Sequence, residues 1–198
     1  MEKGDLLFCG VGGQGILLAS EVTSLALIRA GFDVKKSEVH GMAQRGGSVV
    51  AHVRYGKKIF SPLIGKGGAD IVVAFEFLES LRYLPFMHEE TKVVVNTQKV
   101  YPPSVATGQE EYPEKILEEF EKRGISTYPV AALEIATSVG ELRTVNMVMS
   151  GALSVFLPVE EELFFDVISG KVPNRYFDAN RKAFLEGNKS IRKLGVKA

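Results

Sequence analysis

Asp5–Ala19 reads DLLFCGVGGQGILLA, and the order of its chemistry decides the fold. Asp5–Cys9 is a brief apolar run bounded by Gly4 and Gly10, the pattern of a strand buried on both faces. Gly10–Gly15 breaks the run. Ile16–Ala30 then places apolar residues at nearly every third or fourth position, and Gly31 supplies a C-terminal stop. Strand, glycine turn and helix in that order open a Rossmann-like, doubly wound α/β fold.

Downstream, Asp33–Val39 reads as a second strand, less buried because of its two lysines. Ser48–Tyr55 (SVVAHVRY) and the pair Ile59–Phe60, joined by Gly56–Lys57–Lys58, predict an antiparallel hairpin added to an otherwise mostly parallel sheet. Asp70–Phe77 and Lys92–Asn96 are further strands separated by a helix near Leu78–Phe86. Pro102–Pro103 marks a loop, Pro113–Arg123 an amphipathic helix ended by Gly124, and Ile125–Val130 a last strand. From Glu141 the character changes. Leu142–Leu157, Glu160–Ile168 and Asp178–Leu194 all read as helices, giving a helical C-terminal third. No repeat or low-complexity tract divides the chain, so residues 1–198 are expected to form a single domain.

The 198 residues carry 24 Lys plus Arg against 24 Asp plus Glu, a formal net charge of zero. No overall field therefore steers the chain onto nucleic acid or an anionic membrane. The single cysteine, Cys9, cannot by itself make a disulfide, a zinc knuckle or an iron–sulfur cluster. No apolar run reaches the roughly 20 residues of a membrane span, and no basic region followed by an apolar one opens the chain. A cytoplasmic protein without nucleic-acid or membrane partners is expected. A near-zero charge also suits a subunit covered by other subunits.

Gly10, Gly12 and Gly15 match G-x-G-x-x-G, where glycines let backbone N–H groups approach an anion at a positive helix N-terminus. A dinucleotide site also needs an acid for the ribose about 20 residues on, at the end of the second strand. Asp33 begins that strand and Glu38 falls slightly late. Three readings stay open: glycines serving only the turn and its packing, a phosphate or other polar group at the loop, or NAD. Gly65–Gly68 (GKGG) lacks the upstream glycine and the following Ser or Thr of a phosphate loop.

A second loop, His40–Gly47 (HGMAQRGG), gathers an imidazole, an amide, a guanidinium and three glycines. Gln44 and Arg45 offer donors for phosphate or carboxylate. The alternative is a surface loop whose arginine pairs with a nearby acid. Elsewhere, Cys9 reads as a buried thiol, and His52 as a structural or interfacial residue on the strand face shared with Val50 and Arg54. His88 is placed to meet the carbonyls of the helix before it. Glu110, Glu111, Glu114, Glu118, Glu119 and Glu121 read as a solvated face, and Met147 and Met149 as core or subunit interface. Phe164, Phe165, Tyr176, Phe177 and Phe184 are many aromatics for a helical tail, fit to close the core or dock onto a partner. The three histidines have no metal-ligand spacing.

GVGGQG after the first strand, HGMAQRGG about 25 residues on, and the following SVVAHVRYG together resemble the gamma-type subunits of 2-oxoacid:ferredoxin oxidoreductases, above all those of the indolepyruvate type. The resemblance extends to Asp70–Glu76, Asn146–Leu153 and Asn180–Gly187. It implies membership of an enzyme that decarboxylates a 2-oxo acid oxidatively to an acyl-coenzyme A and reduces ferredoxin. Thiamine diphosphate with magnesium, and the iron–sulfur clusters, are implied in a large partner subunit, with none bound by this chain alone. Coenzyme A is implied as a possible shared substrate. Gly12, Gly13, Gln14 and Gly15, with His40, Gly41, Gln44, Arg45, Gly46 and Gly47, match the family motifs and are expected to face the partner. No catalytic residue is assigned. The isolated chain is expected to be inactive and could pair as a homodimer. The competing readings are a free-standing Rossmann-type oxidoreductase and a nucleotide-binding regulatory module.

Overall fold

A computed structural model describes residues 3–40 and 47–196, with the side chain of His40 excepted. Among the described residues, six strands form one sheet in the order β2-β3-β1-β4-β5-β6. They are β1 (Gly4–Val11), β2 (Asp33–His40), β3 (Ser48–Gly56), β4 (Ile71–Ala74), β5 (Lys92–Asn96) and β6 (Ser126–Val130). β1, β4, β5 and β6 run in parallel, and β3 is antiparallel to both β1 and β2. The sheet is therefore mostly parallel with an added hairpin, as the sequence predicts.

Alternation along β1 builds two cores. Leu6 and Phe8 face α1 (Ile16–Arg29), α5 (Ala132–Val139), α6 (Val145–Ser154), α7 (Glu161–Lys171) and α8 (Phe177–Arg192). Leu7 and Cys9 face α2 (Phe77–Arg82) and α4 (Ile116–Glu121). Helices on both faces make the fold doubly wound. The short α3 (Pro103–Ala106) lies between β5 and α4, where the sequence suggested only a loop.

The hairpin differs from expectation. β3 pairs with β2 from Asp33↔Gly56 to His40↔Val49, not with Ile59–Phe60. The latter pair is held out of the sheet. Asp33 Oδ2 accepts the Ile59 N–H at 2.8 Å, and Arg54 donates to the carbonyls of Ser61 (3.2 Å) and Leu63 (3.4 Å). Arg54 is itself fixed by two hydrogen bonds to Asp5, at 2.7 and 3.1 Å.

The helical third is real, with α5 added before it. α6 and α8 cross closely because glycines meet carbonyls: Cβ atoms built on Gly151 and Gly187 would lie 1.9 Å from Phe184 O and 2.0 Å from Val148 O. Met147, Met149, Phe164 and Phe184 are wholly buried and Phe165 nearly so, so these residues close the chain's own core. His88 does not cap a helix. Its Nδ1 accepts the Glu90 N–H, and its backbone N–H donates to Thr91 Oγ1.

Candidate functional site

β1 ends where its neighbours diverge: α1 leaves over one sheet face and α2, after β4, over the other. Crevices of this kind, at the carboxyl ends of parallel strands, are where open α/β sheets bind ligands. The glycine loop fills the opening, and its members divide the work. Gly10 is buried, with no room for a Cβ between Gln14 Oε1, Phe75 and Ile16. Gly15 adopts φ 78° and lies under the Asn146 amide, where a Cβ would stand 2.7 Å from Nδ2. Gly13 has φ 103° and nothing within 4 Å, so it is the loop's open face.

Gln14 bolts this loop to the sheet. Its Oε1 accepts the Val11 N–H at 2.8 Å and its Nε2 donates to Phe75 O at 3.0 Å, joining the ends of β1 and β4. Gly12 N–H donates to Gly47 O at 2.8 Å, which brings the end of the second loop onto the first. His40 ends β2 and pairs with Val49, one strand further out. Gly41, Gln44, Arg45 and Gly46 lie outside the described residues, as does the side chain of His40.

α1 begins at Gly15 with no side chain capping its first N–H groups. A helix of 14 residues with an open N-terminus attracts negative charge. Two other donors stand there. Asn146 is 5% exposed; its Oδ1 accepts the Met147 N–H, and its Nδ2 has no hydrogen bond among the described residues. Arg143 borders both clefts beside the loop, one of about 320 Å³ reaching Gly13 and Gln98, the other of about 390 Å³ reaching Asn146 and Tyr176. Its guanidinium is held by Glu141 at 2.9 and 3.0 Å and lies 4.6 Å over the Tyr176 ring. The Glu141 carboxylate raises the Arg143 pKa, and Arg143 lowers those of Glu141 and Tyr176.

Beneath the loop lies a buried polar base. Glu76, 1% exposed, caps α2 by accepting the Glu79 N–H at 2.8 Å. Its other oxygen accepts from Val100 N–H and Tyr112 O–H, each at 2.9 Å. Glu79 accepts the Ser48 hydroxyl at 2.6 Å and Arg82 Nε at 3.0 Å, fixing the start of β3 directly after the second loop. Burial, with lesser repulsion from Glu79 and Glu76, pushes the Cys9 thiol well up. Arg143 and Glu79 carry no motif, and Glu76 appears only as the end of the 70–76 stretch quoted above. The one sequence signal for Asn146 is its place in the 146–153 stretch quoted above.

Several expectations can now be placed. Asp33 sits at the far end of β2, bound to Ile59 N–H and Lys35, and Glu38 pairs with Lys36. Since β3 separates β2 from β1, neither acid stands beside the glycine loop as a ribose ligand would. His52 is buried; its Nδ1 accepts the Ile64 N–H at 3.2 Å and its pKa is lowered by desolvation. Among the described residues no three His, Cys, Asp or Glu side chains cluster as metal ligands, and no helix is long and apolar enough to cross a membrane. The chain's one cysteine, Cys9, cannot by itself ligate an iron–sulfur cluster.

The protein is a doubly wound α/β domain whose glycine loop stands at an uncapped helix N-terminus. Residues 5–190 match the pyruvate ferredoxin/flavodoxin oxidoreductase family, and the chain belongs to it. It is 41% identical over 187 residues to indolepyruvate oxidoreductase subunit IorB of Archaeoglobus fulgidus, covering 92% of each chain. The IorB of Thermococcus kodakarensis is 36% identical over 201 residues, with 98% of each chain covered. Among solved structures, a keto/oxoacid ferredoxin oxidoreductase gamma subunit from Geobacter sulfurreducens shares the fold. Its TM-score is 0.72 at 22% identity, with 96% of this chain and 99% of that one covered. The chain is thus a gamma-type subunit within the 2-oxoacid:ferredoxin oxidoreductases.

Proposed function

We propose that this chain completes the active site of a cytoplasmic oxidoreductase acting on an aryl pyruvate such as indolepyruvate. Its glycine loop and the segment His40–Gly47 face a large subunit that holds thiamine diphosphate, magnesium and the iron–sulfur clusters. The complex converts the 2-oxo acid and coenzyme A to an acyl-coenzyme A and carbon dioxide, and passes two electrons to ferredoxin. The names of the IorB relatives support the substrate class. Coenzyme A is supported by a 2-oxoglutarate:ferredoxin oxidoreductase of Magnetococcus marinus, whose structure contains coenzyme A and succinyl-coenzyme A. This chain matches 32% of that longer one at TM-score 0.76.

The observation that carries the reading is the uncapped start of α1 with Asn146 Nδ2 beside it. Both are donors without an acceptor, and an anionic group of coenzyme A or of the substrate supplies one. Open N–H groups at Gly13 and charge from Arg45 orient that group without forming a covalent bond to it. The role of this chain is to bind and position.

The test is reconstitution with the large subunit. Arg45→Ala is expected to raise the KM for coenzyme A or the 2-oxo acid at least about tenfold, the loss of one charge-assisted contact. Unchanged KM for both would refute the positioning role. Calorimetry of the isolated chain with NAD(H) provides a second check: tight binding there would favour a free-standing nucleotide-dependent enzyme.

A further inference from the structure

Two features of the α2/α4 side of the molecule lie outside the two clefts at the glycine loop. The first is the connection between β3 and β4. Residues 57–68 contain Lys57, Lys58 and Lys66 and no acid, in a chain whose net charge is zero. Phe60 is 89% exposed and Leu63 59% exposed. This display is not slack. Asp33 holds Ile59 N–H, Arg54 holds the carbonyls of Ser61 and Leu63, and His52 accepts from Ile64 N–H. Further along, Gly67 N–H bonds Pro85 O at 3.0 Å. An aromatic ring on a backbone already fixed loses little freedom when a partner covers it, which is the character of an interface anchor.

The second feature is a cleft of about 480 Å³ at the start of α4, walled by Leu81, Tyr112, Pro113 and Ile116 and rimmed by three glutamates, Glu111, Glu114 and Glu119, and one lysine, Lys115. Residues 109–121 hold six glutamates and one lysine. Lys99 and Arg123 reach Glu114 and Glu119, while Glu111 has no ion pair among the described residues. The cleft is apolar within and acidic at the lip, the complement of a basic loop with an aromatic tip.

We infer that the 57–68 loop of one copy of this chain seats in the α4 cleft of a second copy. Phe60 packs over Leu81 and Pro113, and Lys57 and Lys66 meet the rim at Glu111 and Glu114. Ile64 of the loop and Ile116 of the cleft both pack on the same sheet face. A two-fold axis through that face therefore lets each copy give one loop and receive one, and the contact closes as a dimer. The loop lies beyond the Gly56 end of β3, opposite the Ser48 end that pairs with Val11. The inference does not rest on the proposed function.

Sedimentation equilibrium of the full chain tests it. The wild type is expected to dimerise with a Kd that rises with salt, since the rim charges are exposed. Phe60→Ser should raise that Kd at least about tenfold, as loss of an anchor does. Its far-ultraviolet circular dichroism should match that of the wild type, because Phe60 is 89% exposed and outside the core. K57E/K66E and E111K/E114K should each weaken the dimer, and an equimolar mixture of the two should restore it as a heterodimer. A wild-type monomer at every concentration overturns the inference. So does an unaltered dimer of Phe60→Ser, or a mixture no tighter than its separate components. A wild type that stays monomeric yet sediments with phosphatidylglycerol vesicles would reassign the loop to a lipid surface.

Discussion

Gly151→Ala opposes a helix preference to a packing clash, and the structure says which wins. Gly151 lies inside α6, where alanine is favoured over glycine by about 1 kcal/mol. Its Cβ would stand 1.9 Å from Phe184 O, 2.7 Å from Phe184 C and 2.9 Å from Phe184 Cα. These are backbone atoms of α8, with no rotamer that moves them aside. To regain an ordinary 3.4 Å contact the helices must part by about 1.5 Å. That separation loosens Met147, Leu153, Phe184 and Ile191, all wholly buried. Overpacking of this kind belongs at or above the upper end of the usual range, about 3–4 kcal/mol. Subtracting the propensity gain leaves a net loss of about 2–3 kcal/mol. For a chain of this size the melting temperature should fall by roughly 5–10 °C. Urea denaturation followed by far-ultraviolet circular dichroism measures the difference. Gly170→Ala in α7 is the control: its Cβ meets nothing within 4 Å, so this change should be neutral or stabilising by up to about 1 kcal/mol. A Gly151→Ala protein as stable as the wild type would refute the account of the crossing.

Glu76→Gln keeps the size of a buried side chain but turns one acceptor oxygen into a donor facing N–H or O–H groups. It should cost about 2 kcal/mol by urea midpoint, and no change would contradict the capping role. His52 has a pKa lowered by burial, so as pH falls through about 6.5 the unfolded chain takes up the proton first. Stability should therefore drop on acidification from pH 7 towards 5. His52→Leu should flatten that limb while lowering the plateau, because Ile64 N–H loses its acceptor; equal pH slopes for the two proteins would exclude His52 as the source. The Cys9 thiol, wholly buried and raised well above 9.0, should resist Ellman's reagent at pH 8 until the chain unfolds. Prompt labelling of the native protein would mean that the β1 face opens locally.

The sequence exposes what depends on neighbours along the chain and hides what depends on neighbours across it. β1, the glycine loop and α1 are legible because an apolar run, glycines and a 3.6-residue period follow one another without interruption. The β2–β3 hairpin is not. Its partners are joined through residues 41–47, whereas Gly56–Lys58 offers a more conspicuous turn, and only the bonds of Asp33 and Arg54 show why that turn leads away from the sheet. α5 escapes notice because ALEIATSV mixes β-branched residues into one short stretch; Gly140, at φ 88°, is the signal that ends it. The two glycine loops are visible as motifs, but the division of labour within them is not. Gln14 looks like a ligand donor and proves to be bonded to Val11 and Phe75. Asn146 looks like part of an apolar helix and proves to offer the free amide. Such assignments turn on where a side chain from residue 146 meets a loop at residue 15, a distance that no local pattern encodes.

The bond from Gly12 N–H to Gly47 O joins backbone to backbone at two residues without side chains. No exchange of side chains between His40 and Gly47 can delete either of its atoms. Substitutions at Gln44 or Arg45 change side chains alone and leave this backbone tether with both of its atoms.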